Sequence, residues 1–154
     1  MMRENGTLVH RWRLGNKDEV QLLEDYASLV QALVDLHQAT LEVRPLTQAA
    51  ELAGLMLEKF EDRKNGGLWS STDESLLARM KDDYDGAEPS GNATAALALA
   101  ELGRLTDDLR WTEASERILK WLGERFRRLP QAVPHRLLAL QRLREPPARL
   151  DRKS

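Results

Sequence analysis

The chain repeats itself. The segment YASLVQALVDLHQATLEVRPLTQAAELAGLMLEKF (26–60) lies without gaps on NATAALALAELGRLTDDLRWTEASERILKWLGERF (92–126), a shift of 66 residues. Ala27/Ala93, Leu33/Leu99, Leu36/Leu102, Thr40/Thr106, Arg44/Arg110 and Phe60/Phe126 are among the matches. Each copy holds two helical patterns of different character. The first of each pair, about Asp25–Thr40 and about Asn92–Leu105, is apolar over most or nearly all of its circumference. The second, about Pro45–Glu61 and about Asp107–Arg128, carries one apolar stripe: Leu46, Ala49, Ala50, Ala53, Met56, Leu57 and Phe60, then Trp111, Ala114, Ile118, Leu122 and Phe126. A helix that is apolar all round needs cover on several sides, whereas an amphipathic helix supplies cover from one. Repeated αα-hairpins build solenoids, toroids or arrays, and the covered–covering alternation suits an α/α toroid. A helical bundle with a chance repeat is the competing reading.

A shorter helix is expected over about His135–Leu143, which makes about two and a half hairpins. Residues 1–20 read as an irregular lead-in, 21–145 as a partial toroid, and 146–154 as a disordered tail. The connector at 62–90 is too long for a plain helix–helix loop and points to a functional segment. Within it, NGGLWSS turns at Gly66-Gly67 and then extends, and LLARMKD is expected to pair with it as a short β-hairpin near 67–81. The stretch DDYDGAEPSGNATAA then starts the second inner helix. Pro89 stops any strand, Ser90 is a good N-cap, and the alanines allow close approach of neighbours. The expected class is therefore all-α, an α/α toroid fragment with one short β-hairpin.

Composition narrows the function classes. A net charge of −2 supplies no global attraction to nucleic acid or anionic membrane. No apolar run approaches 18 residues and no signal-peptide core follows Met1, so a cytoplasmic protein is expected. Without cysteine there is no disulfide, thiolate nucleophile or thiolate metal site. DDYDGA is not an EF-hand: aligned on Gly86, Lys81 and Asn92 stand where an acid and a Glu are needed. PSGNA lacks the GK[ST] end of a P-loop. No His/acid spacing suggests a metal site, and no cofactor is expected.

The segments LVHRWRLG, LLEDYASLVQALVDLHQAT, GGLW, ARMKDDYDGAEPSGNATAALALAELGRLTDD and PHRLLAL, in that order, resemble the C-terminal half of the spermatogenesis-associated, thioredoxin-domain-containing protein family. The resemblance runs from about Leu8 to Pro146. It implies an (α/α)6 barrel similar to sugar epimerases and six-hairpin glycosidases, of which about half would be present. The family's thioredoxin part has no counterpart here. Met80 stands where a Pro is usual, Leu68-Trp69 replaces an aromatic pair, and Leu41 stands where a Gly is common. A truncated or split reading frame, or a deliberate fragment, inactive in isolation, is the matching expectation.

Pockets of α/α toroids lie at the end where inner helices begin. On that logic Glu24, Asp25 and Tyr26 open one inner helix, Ser90 and Asn92 another, and His135 a third, while the connector supplies Trp69, Arg79, Lys81 and Asp85. Acids, bases, an amide and an aromatic form the mixture that hydrogen-bonds and stacks on a sugar. Asp25, Asp85 and His135 are the candidate catalytic groups; Tyr26, Trp69, Arg79, Lys81, Ser90 and Asn92 are the candidate ligand contacts. Structural roles stay open for most of them. Asp25 can cap its helix or favour its dipole, Ser90 can be only an N-cap, and Trp69 can be core. Arg79 and Asp85 can form an ion pair that pins the loop, and His135 can be a packing histidine. His10 and His37 are given no role.

Three functions remain: a carbohydrate-active domain, a non-catalytic interaction module, and a remnant without activity. Two and a half hairpins should leave an inner-helix flank open, with Leu29, Leu33 and Leu36 on one side and Leu97 and Leu99 on another. Such patches imply self-association or docking of the missing barrel half.

Overall fold

The computed structural model describes residues 7–14, 16–17, 20–73, 79–128 and 134–145, without the side chains at 12, 13, 16, 17, 125, 126 and 128. The expected 146–154 tail, and with it part of the lead-in and of the 67–81 hairpin, lies outside the described residues. The elements are β1 (Trp12–Arg13), β2 (Asn16–Lys17), α1 (Leu23–Thr40), α2 (Val43–Phe60), α3 (Gly91–Thr106), α4 (Leu109–Arg128) and α5 (His135–Arg144). α1 packs on α2 and α3 on α4, which are the two hairpins, and α3 lies between α1 and α5. The inner row is thus α1, α3, α5, with α2 and α4 outside it: an arc of an α/α toroid.

The amphipathic stripes turn inward. Ala49, Leu52, Ala53, Met56 and Phe60 of α2 are buried, as are Trp111, Ala114, Ile118, Leu119 and Leu122 of α4. α3 is the central rod, and Ala93, Ala95, Ala96, Ala98, Leu99 and Leu102 have no exposed surface. Its small side chains let neighbours approach the backbone. At Gly103 a Cβ atom would lie 2.5 Å from Thr112 Oγ1, so only glycine admits α4 so close. At the flank expected to be open, α1 and α5 lie on either side of α3; Leu99 is wholly buried there, while Leu97 stays partly exposed. α1 keeps an outer edge, where Leu36 is 48% exposed.

The connector differs from the expected β-hairpin. Among the described residues the paired strands are β1 and β2, joined antiparallel in the lead-in, and the connector makes only single bridges. Leu68 bridges Glu61 at the end of α2, and Ser71 bridges Leu22 at the start of α1. The polar groups of the extended stretch are shared among several partners, with Ser70 N donating to Met80 O of the expected second strand at 2.8 Å. Trp69 N donates to Phe60 O at 2.8 Å and Leu68 N to Asn92 Oδ1 at 2.7 Å, while Leu23 N donates to Ser70 O at 3.0 Å. Gly67 makes the turn at φ 72°, flat against the Trp121 ring, which a Cβ would meet at 2.6 Å.

The stretch DDYDGAEPSGNATAA ties the start of α3 to that of α5. Ser90 caps α3 by accepting from Ala93 N at 3.2 Å. Asp85 accepts from Ser90 N at 2.9 Å and from His135 N at 2.8 Å, so one carboxylate joins the starts of α3 and α5. At the opposite end of the inner row, buried Glu101 holds Arg104 at 3.1 Å and Arg142 of α5 at 2.5 Å.

Candidate functional site

The starts of the three inner helices meet at one open hollow of about 420 Å³. α1 contributes Glu24, Ser28, Gln31 and Asp35, α3 contributes Thr94, and α5 contributes His135; Glu88 and Pro89 close it from the connector. A second hollow, about 560 Å³, adjoins it and shares Glu24, Ser28, Ala32 and Glu88. His10 and Asp25 line this second part. His135 and Asp25 therefore stand on either side of the shared Glu24–Glu88 wall.

Asp25 is no cap. The N-cap of α1 is Leu22, without a side-chain bond, and Asp25 sits in the first turn with Glu24, where both carboxylates favour the positive helix end. Asp25 Oδ2 lies 2.9 Å from His10 Nδ1. Leu8 and Val9, both buried, anchor the lead-in just before His10, and Leu8 N donates to Tyr26 Oη at 3.2 Å. The imidazole at 10 thus has a defined place, although the sequence reading gave it none. His37, also given no role, caps the end of its own hairpin, with Nδ1 2.6 Å from Glu42 O.

Most other candidates hold the framework. Asn92 is fully buried, donating through Nδ2 to Leu68 O at 2.9 Å and Asp82 O at 3.0 Å, besides accepting from Leu68 N. Tyr26 is also fully buried, and its hydroxyl donates to Gln21 Oε1; burial raises its pKa. Lys81 is paired at 2.8 Å with buried Asp62, donates to Gly66 O at 2.5 Å, and lies over the Trp69 and Trp121 rings. Arg79 donates to Ser71 O at 3.2 Å and stacks on Trp69, its Cζ 5.0 Å from the ring centroid. Trp69 is half-buried, with both cations close to its ring. Ser90 and Asp85 serve the helix starts as above. Beside Glu24 and His135, the hollow is lined by polar residues to which the sequence assigns no site role: Ser28, Gln31, Asp35, Glu88 and Thr94. Gln31 Oε1 is shielded from solvent and has no partner among the described residues, while Nε2 donates to Asp35 Oδ1 at 2.8 Å.

An inner row backed by an outer row, with a polar hollow where the inner helices begin, defines a fragment of an α/α toroid. Solved structures agree. Cellobiose 2-epimerase from Spirochaeta thermophila superimposes with TM-score 0.52 at 24% identity, over 69% of this chain and 28% of that one. A family 76 mannosidase from Bacteroides thetaiotaomicron superimposes with TM-score 0.59 at 14% identity, over 74% and 31%. No protein-family model matches the chain. Among curated proteins, spermatogenesis-associated protein 20 is 40% identical in Rattus norvegicus and 39% in Homo sapiens, each over 121 residues and 77% of this chain. An uncharacterised Caenorhabditis elegans protein is 31% identical over 128 residues. The chain is thus a homologue of the spermatogenesis-associated proteins over one segment, spanning 15% of the length of the rat and human relatives. No described helix is long and apolar enough to cross a membrane.

Proposed function

We propose that the double hollow binds a carbohydrate, as one wall of the cavity of a larger toroid. The observation that carries this reading is the convergence of the three inner-helix starts on one polar concavity. Carboxylates, hydroxyls, an amide and an imidazole from α1, α3, α5 and the connector face a single space. Sugar hydroxyls pair with such groups, and Gln31 stands among them on the wall of the hollow. His135 on one side and Asp25, paired with His10, on the other are the acid/base groups a modification reaction would use. The fold likeness to an epimerase and a mannosidase supports the substrate class.

The test is saturation-transfer NMR of the purified chain with cellobiose and with a mannobiose. Binding in the millimolar range is expected, weakened at least fivefold in Gln31→Ala and His135→Ala. No transfer to either sugar, or transfer unchanged in both variants, overturns the reading.

A second reading, an interaction module, is favoured by the two edges of the arc. Leu36 on α1 is 48% exposed, and Leu137 and Leu138 on α5 are 50% and 47% exposed. Covering about 400 Å² of apolar surface is worth on the order of 10 kcal/mol before association costs. Light scattering at micromolar concentration should then show self-association, lowered by Leu137→Lys; a clean monomer with no binding of a hydrophobic dye rejects it.

A further inference from the structure

We propose that His10, Glu24 and Asp25 form a binding site for a divalent transition-metal ion on the wall of the hollow. The three come from separate stretches of chain, the lead-in and the first turn of α1. One ligating atom of each lies within 4.8 Å of the others. The tightest pair, His10 Nδ1 and Asp25 Oδ2, is 2.9 Å apart. An ion with bonds of about 2.0–2.2 Å separates neighbouring ligands by roughly 3–4 Å, so closing the set needs side-chain shifts of about 1 Å or less. One imidazole and two carboxylates make a borderline-to-hard donor set suited to zinc or manganese. Three protein ligands leave coordination positions open, and here they would open onto the hollow.

The surroundings favour a cation as well. Among the described residues, four carboxylates line the joined hollows, those of Glu24, Asp25, Asp35 and Glu88, and no Lys or Arg does. The imidazole is also held in place: buried Leu8 and Val9 dock the lead-in beside α1, so it does not have to be gathered from a free chain end. The rival account is a plain His10–Asp25 ion pair at a helix start, in which Glu24 has no part. The two accounts differ in what Glu24 does.

The experiment is calorimetric titration of the full chain with zinc ion alone, without sugar, repeated with cobalt to read the coordination from its visible spectrum. One ion per chain is expected, with affinity reduced at least tenfold in His10→Ala and in Glu24→Gln and unchanged in His37→Ala. Zinc should raise Tm in the wild-type chain and not in His10→Ala. Far-UV circular dichroism confirms that the variants fold, and exposed Glu24 keeps the test valid if His10→Ala does not. No saturable uptake, or uptake of equal affinity in Glu24→Gln, overturns the proposal. Since no sugar is present, this outcome is independent of the carbohydrate reading.

Discussion

The hairpins α1–α2 and α3–α4 carry one pattern, yet they have opposite relations to solvent. From Gly91 to Gly103, α3 is buried at every position except Thr94 and Leu97. α1 buries only Leu23, Tyr26, Ala27, Val30 and Val34. The repeat sets Glu24, Ser28, Gln31 and Asp35 of α1 against Ser90, Thr94, Leu97 and Glu101 of α3. On α1 all four line the hollow. On α3, Ser90 has become a cap, Leu97 is apolar, and Glu101 is a buried clamp, which leaves Thr94 in the hollow. The periodicity makes both helices inner ones; their place in the arc decides which keeps polar groups free for a ligand. Framework duty has moved to the central hairpin and ligand-facing duty to the edge.

The strongest test exchanges equivalent residues, Tyr26 and Asn92, that open the two inner helices. Asn92→Ala strands Leu68 N, Leu68 O and Asp82 O beside a wholly buried site. Each buried group left unpaired costs about 1–3 kcal/mol, so a loss of about 4 kcal/mol is expected after water enters. Tyr26→Phe removes a hydroxyl bonded to Gln21 and Leu8 but keeps the ring on Phe60, centroids 5.3 Å apart. A loss of about 1 kcal/mol is expected there. Urea unfolding of the two variants measures the gap; equal losses would mean that the central hairpin bears no special framework load.

How far the sequence reaches follows the same division. The helices were legible because their signal is local: apolar periods of 3.6, a Ser-capped alanine run and Pro134 before α5 place all five within about two residues of where they lie. The connector was not. Gly66-Gly67 followed by LWSS reads as a strand, but its pairing is decided by nearby Glu61 together with Asn92 and Leu22, which are distant in sequence. The site was half legible. His135 and Asp25 were placed by their helix starts, whereas Asn92, Lys81 and Tyr26 are of types that bind ligands and seal frameworks equally well. His10 was missed because its partner lies 15 residues away. The available signal was the apolar pair Leu8-Val9 just ahead of it, which docks the strand of chain that carries it.

The connector clamp offers a second test, with a pH signature. Lys81 and Asp62 are both buried, with side chains 9% and 7% exposed. The hydrogen bond from Lys81 holds the Asp62 carboxyl well below the usual carboxylate range, helped by Asn65 and the amides of Asn65 and Lys64, while burial pushes the other way. Removing one partner of a buried pair costs about 3 kcal/mol. Lys81→Met should lose about that at pH 7. A depressed folded pKa gives stability that is present above the unfolded value, about 3.9, and is lost as pH falls through the folded one. The gap between wild type and variant should therefore narrow below about pH 4. Urea midpoints at pH 7 and pH 3 read it; a gap that widens in acid would rule out the ion pair as its source.

The smallest effect probes the two hairpin turns, which the repeat also makes equivalent. α1 ends at Leu41 with φ 60° and α3 at Asp107 with φ 56°. Both are left-handed, the conformation that helix ends favour and that glycine adopts without penalty. A side chain of leucine type costs about 1 kcal/mol there, while the short polar side chain of Asp is tolerated better. Leu41 gains little in return, being 71% exposed. Leu41→Gly should therefore stabilise the chain by about 1 kcal/mol, offset in part by the extra freedom of the unfolded glycine. Asp107→Gly should change stability by less than about half of that. Thermal unfolding of both variants measures the difference. If Asp107→Gly stabilises as much as Leu41→Gly, the left-handed strain is common to the two turns, and the edge hairpin is not the one left with an unrelieved fault.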